Sequence, residues 1–117
     1  MTSQTCRIQA KALALMAMEE SYFTAISAEE VTREKRRAKE LRRSQWWKNR
    51  LASGRCHYCE SSFHPGDLTM DHVVPIVRGG RSSKSNVVPC CKQCNSQKQY
   101  MLPLEWEAYL KRLARTD

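Results

Sequence analysis

Cys56-His57-Tyr58-Cys59 and Cys91-Lys92-Gln93-Cys94-Asn95 decide the fold, because each stretch sets two thiols three positions apart. A Cys-x-x-Cys turn brings two thiolates onto one ion at little cost in chain entropy. Two such turns supply the four donors of a tetrahedral zinc site. The pairs are separated by 31 residues, so the ion closes a loop around the whole central segment. Cys91 and Cys94 are expected at a helix N-terminus, where the dipole favours thiolate. Cys90 is an alternative to Cys91 with poorer spacing to Cys94; otherwise Cys6 and Cys90 read as ordinary thiols. His57 and His64 can substitute as ligands, with surface or supporting roles the simpler reading. Four unrelated buried cysteines, or a redox pair, explain less of the pattern.

Inside this loop, turn residues recur at short intervals: His64-Pro65-Gly66-Asp67, Gly79-Gly80 and Ser82-Ser83-Lys84-Ser85-Asn86. That spacing predicts short strands. Leu68-Thr69-Met70 alternates, Val73-Val74 and Val87-Val88 are β-branched, and Pro75 and Pro89 keep each segment short or at an edge. A two-stranded unit follows. From Cys91 through Tyr100 there is no helix breaker, and Cys91, Asn95 and Lys98 share one helical face. Pro103 reads as the first position of a last helix with an apolar stripe of Leu102, Trp106, Tyr109 or Leu110, and Leu113.

Upstream, Leu15, Met18, Tyr22 and Ile26 form one face of a helix predicted over Arg7 to Ile26. Ser27-Ala28-Glu29-Glu30 is a capping box that starts a second helix running to about Leu51, with Ser53-Gly54 as its stop. Between Val31 and Arg50 this helix carries nine basic residues against two glutamates, nearly all of the chain's net charge of +8. So many cations on one helix repel one another unless an anion compensates them, which favours a polyphosphate partner over a merely solvated face. The candidates for that contact are Arg36, Arg37, Arg42, Arg43 and Lys48, joined downstream by Arg78 and Lys98. Trp46 and Trp47 point about 100° apart on a helix, so one enters a core while the other lies at its edge.

The chain has 117 residues with 41% hydrophobic, enough for one compact domain with an appendage. The longest apolar run, Ala12 to Met18, is far short of a membrane span, and Glu19 and Glu20 directly behind it argue against a secretory signal. No membrane partner is expected. The thiol chemistry points to a reducing, cytoplasmic location.

Asp71-His72, Asn86 and Asn95 are not needed by zinc. Phosphodiester cleavage needs a divalent metal to neutralise charge, a base to deprotonate water and a group to hold that base. Asp71 is a hard oxygen donor suited to Mg²⁺ or another divalent ion, and Asn95 offers a carbonyl oxygen to the same ion. His72 is the candidate base and Asn86 its orienter. Consecutive strand residues face opposite sides, so Asp71 and His72 meet one metal only if the strand ends or bulges there.

Taken together, Cys56-His-Tyr-Cys59, Asp71-His72-Val-Val-Pro75, Gly79-Gly80, Asn86-Val-Val-Pro89 and Cys91-Lys-Gln-Cys94-Asn95 with Lys98 resemble the HNH endonuclease family. The resemblance covers about residues 56 to 98. It implies an α+β fold with a β-hairpin and helix around one catalytic metal, a ββα-metal unit braced by a zinc knuckle. It further implies His72 as general base, Asn86 as the middle asparagine, and Asp71 and Asn95 as metal ligands. The third motif letter here is asparagine in place of histidine. The implied organisation is a basic helical extension over 1–52, the nuclease core over 53–102 and a packing helix over 103–117. The implied activity is hydrolysis of DNA phosphodiesters to 5′-phosphate and 3′-hydroxyl ends. The rival reading is a zinc module of the same fold that binds nucleic acid without cutting it; a third is a partner-binding module resting on the Leu15/Met18/Tyr22/Ile26 stripe.

Overall fold

In a computed structural model of the chain, the structure describes residues 26–115. The helix expected over Arg7 to Ile26, apart from its last residue, and Cys6 lie outside the described residues.

Helix α1 spans Ala28–Arg42. Ser27 caps it, its hydroxyl accepting from the Glu30 amide at 3.1 Å. Glu29 and Glu30 occupy the first turn and Lys39 and Arg42 the last, each sign complementing the helix dipole. The single helix expected to run on to Leu51 is instead two. The Arg43 and Ser44 amides turn back onto the Glu40 and Leu41 carbonyls, both at 3.1 Å, and α2 restarts at Gln45–Ala52. Ser44 causes the break, since its hydroxyl donates to the Leu41 carbonyl at 2.6 Å and accepts from the Trp47 amide at 3.2 Å. Trp47 is buried. Trp46 stays at the edge, with the Arg50 guanidinium and the Lys84 ammonium each 5.6 Å from its ring centroid. Gly54, at φ +65°, closes α2 in a conformation that favours glycine.

Strands β1 (Leu68–His72) and β2 (Val87–Cys91) form an antiparallel pair, with Leu68 opposite Cys91 and His72 opposite Val87. Pro89 is tolerated in β2 because its carbonyl points to the outer edge, where the His57 amide donates to it at 2.9 Å; the missing N–H faces the same way. Val73 and Val74 do not extend β1. Their amides go to the backbone and side-chain oxygens of Asn86, each at 2.9 Å, and the chain bends through Pro75 into a 3₁₀ turn over Ile76–Arg78. Behind it the loop crosses itself at Gly80, whose amide donates to the Pro75 carbonyl at 2.8 Å. A Cβ there would overlap the Val74 carbonyl oxygen.

Helix α3 is Lys92–Lys98, shorter than expected. Gln99 enters positive φ, and the Lys98 carbonyl is taken by the Met101 amide in a tight turn at 3.0 Å. Helix α4 spans Pro103–Arg115. Of its anticipated stripe, Trp106 is buried and stacks on Tyr109 at 5.6 Å, whereas Leu110 and Leu113 are exposed. The core joins Cys56, Leu68, Cys90, Cys91, Cys94 and Trp106. Four of these six are cysteines, so the centre of this α+β fold is built around thiols. No helix among the described residues is long and apolar enough to cross a membrane.

Candidate active site and metal centre

The Sγ atoms of Cys56, Cys59, Cys91 and Cys94 all lie within 4.8 Å of one another, with Cys59 and Cys91 3.9 Å apart. Zn–S bonds of about 2.3 Å in a tetrahedron need sulfurs about 3.8 Å apart. Backbone amides prepare the charge. Cys91 N–H donates to Cys56 Sγ and Cys94 N–H to Cys91 Sγ, both at 3.4 Å. Burial pushes the Cys56 thiol up, but amides from Cys59, Cys91 and Tyr58 outweigh it and bring its pKa down to about 7. Burial raises Cys91 and Cys94, and a cation offsets that penalty by replacing their protons. The four cysteines are therefore positioned to hold a metal ion, and the all-thiolate set suits zinc. Cys90 stands outside the cluster, its thiol donating to the Cys91 carbonyl at 3.3 Å. So do His57, edge-on to Tyr58, and His64, whose Nδ1 accepts from the Gly66 amide.

The second site lies where β1 stops. Asp71, His72 and Asn95 line one cavity of about 250 Å³ together with Lys35 of α1 and Gln99 and Tyr100 after α3. The end of β1 at His72 meets the condition for two consecutive residues to serve one centre. Asp71 is buried, and its Oδ2 accepts from the Tyr58 hydroxyl at 2.6 Å and pairs with Lys98 Nζ at 3.0 Å. Both partners use Oδ2, which leaves Oδ1 as the donor for an ion. Burial and the adjacent Asp71 carboxylate hold the Tyr58 hydroxyl protonated. Asn95 Nδ2 reaches Thr69 Oγ1 at 3.5 Å, so its carbonyl oxygen is the atom available to a hard cation. These oxygens fit a divalent ion that keeps most of its own waters.

His72 Nε2 lies 2.9 Å from Ser82 Oγ. Its pKa is lowered below the ordinary value, chiefly by burial and further by Arg42 and Lys98, against an opposite pull from Asp71 and Glu34. The Asn86 side chain bonds to the loop and not to the imidazole, where its expected role as orienter would have put a direct bond. Its amide accepts from Val74 N–H at 2.9 Å and donates to the carbonyls of Val74 at 3.0 Å and Arg81 at 2.8 Å. It therefore locks the loop behind His72.

Arg36, Arg37 and Arg42 on α1, Arg43 at its C-cap and Lys48 on α2 are exposed. The other two candidate nucleic-acid contacts are corrected by burial. Arg78 forms a two-pronged pair with Glu105, both contacts 3.2 Å, and donates to the Tyr100 carbonyl at 3.0 Å. Lys98 is fully buried between Asp71 and the His72 carbonyl, which it reaches at 3.1 Å. Neither ammonium nor guanidinium is at the surface. Sequence reasoning missed Tyr58, Lys35 and Ser82. Only Tyr58 carried a local signal, its place inside the first cysteine turn.

No curated protein sequence gives a significant match to the chain. Residues 56–110 match the family model described as HNH endonuclease, a segment that holds both cysteine turns, the strand pair and the cavity residues other than Lys35. Over this segment, just under half of the chain, the sequence is similar to HNH endonucleases.

Proposed function

We propose that the protein is a metal-dependent endonuclease that hydrolyses DNA phosphodiester bonds. The observation that carries this reading is the convergence of Asp71, His72 and Asn95 on one cavity at the end of β1. Asp71 Oδ1 and the Asn95 carbonyl would hold a Mg²⁺ or other divalent ion, which neutralises charge on the phosphate and on the leaving oxygen when bound. His72, kept neutral by burial, accepts a proton from water as the water oxygen bonds to phosphorus and the P–O3′ bond breaks, the departing 3′-oxygen taking its proton from solvent. Lys98 balances the buried Asp71 charge and, through the His72 carbonyl, holds the backbone of the base. Zinc on the four cysteines is structural. The exposed cations of α1 and α2 supply sequence-independent attraction to the backbone.

The test is incubation of zinc-loaded protein with supercoiled plasmid and Mg²⁺ or Mn²⁺, beside His72→Ala with verified zinc content. Cleavage that falls by about 10²- to 10⁴-fold in the variant assigns the base. Equal DNA binding by both proteins with no cleavage of plasmid, single strands or branched DNA would replace the nuclease by a zinc-braced binding module.

A further inference from the structure

We infer that helix α1, which lies outside the family-matched segment, completes the active site through Glu34 and Ser82, and that this pair determines which nitrogen of His72 acts as the base. A serine hydroxyl has one proton and two lone pairs. Ser82 Oγ lies 2.6 Å from the Glu34 carbonyl oxygen, which can only accept, so its proton is committed there. The contact of 2.9 Å between Ser82 Oγ and His72 Nε2 is then a bond in which Nε2–H donates. Nδ1 is left with the lone pair, and the base is that nitrogen.

Ser82 is held at a second point. Its amide donates to Glu34 Oε1 at 2.6 Å, while Glu34 Oε2 is occupied by Arg37 at 3.1 Å. One residue of α1 therefore fixes both the position and the proton direction of a hydroxyl 48 residues away. The next residue, Lys35, lines the catalytic cavity, so the same turn of helix that holds the base also reaches the space the substrate would occupy. Glu34 and Ser82 do not touch the reacting atoms; they are positioning residues. Their effect on turnover rests on the nuclease reading, whereas their effect on the histidine does not.

The experiment uses the full zinc-loaded chain labelled with ¹⁵N-histidine, at a pH above the histidine range, with long-range ¹H–¹⁵N spectra. The chain has three histidines, and loss of a signal in His72→Ala assigns the one of interest. A single Nε2–H tautomer is expected. In Ser82→Ala the tautomers should mix and kcat for plasmid nicking should fall about 10- to 100-fold with KM little changed; Ser82→Thr should restore both. Glu34→Gln, whose amide oxygen still accepts from the Ser82 amide, should behave as the parent. Glu34→Ala keeps the backbone carbonyl that takes the Ser82 proton and loses only the hold on the Ser82 amide, so it should retain the Nε2–H tautomer and lower kcat less than Ser82→Ala does. An Nδ1–H tautomer in the parent, or an unchanged tautomer and kcat in Ser82→Ala, overturns the inference. A parent protein that shows the Nε2–H tautomer but never cuts DNA overturns the nuclease reading alone.

Discussion

His72 is depressed below its ordinary pKa because burial disfavours the imidazolium more than Asp71 favours it. A depressed base stays neutral to lower pH, so the acid limb of kcat/KM should lie below about 6.5, the unperturbed histidine value. A pH–rate profile with that limb above the unperturbed value would contradict the burial argument. Asp71 depends in turn on Tyr58, which belongs to the first cysteine turn, so the cysteine cluster reaches the cavity's carboxylate through one hydroxyl. Tyr58→Phe should leave zinc stoichiometry unchanged while weakening Mn²⁺ binding about 10- to 100-fold, read by Mn²⁺ titration. The gathering of the four cysteines, and of Asp71, His72 and Asn95 at one cavity, was legible because their chemistry is specific and their spacing local. Lys98 and Arg78 were not. A cation in a sequence looks like a surface cation, and only the folded chain reveals Asp71 and Glu105 beside them.

At the scale of elements, α4 is fastened to the loop after β1 by the Arg78–Glu105 pair, with Glu105 also accepting from the Leu102 amide at 2.7 Å. Glu105→Ala removes the carboxylate from a buried guanidinium that keeps its bond to the Tyr100 carbonyl. The loss should fall toward the low end of roughly 3–5 kcal/mol, since the glutamate side is partly solvated, and a denaturant midpoint measures it. The start of α1 and the first residue of α4 were readable from Ser27 and Pro103. The break between α1 and α2 was not, because basic residues continue across it and hide the cap at Ser44. The reach of α1 to Ser82 was equally hidden, as no local pattern links Glu34 to a residue so distant along the chain.

For the whole molecule, a core of thiols means that metal and fold are one equilibrium. A strong chelator should collapse the cooperative thermal transition and zinc should restore it, since structural zinc sites contribute on the order of 10 kcal/mol to such small folds. Persistence of the transition after complete metal removal would show that the apolar packing suffices. On the nuclease reading, net charge would govern the approach to DNA. Removing Arg36, Arg43 and Lys48 together should weaken binding uniformly across sequences and flatten the dependence of log K on log salt by about one for each phosphate no longer neutralised.

The crossing at Gly80 sets a limit of a different kind. There the loop has the clearance of a hydrogen atom, between its own glycine and the carbonyl of Val74, two residues past His72. Any side chain at position 80 must displace that carbonyl, and with it the end of the strand that presents His72. The loop can therefore vary in composition along its exposed stretch at Lys84 and Ser85, yet at its crossing it admits one amino acid. A residue with no functional group thus governs the placement of His72 as firmly as those that bond to it.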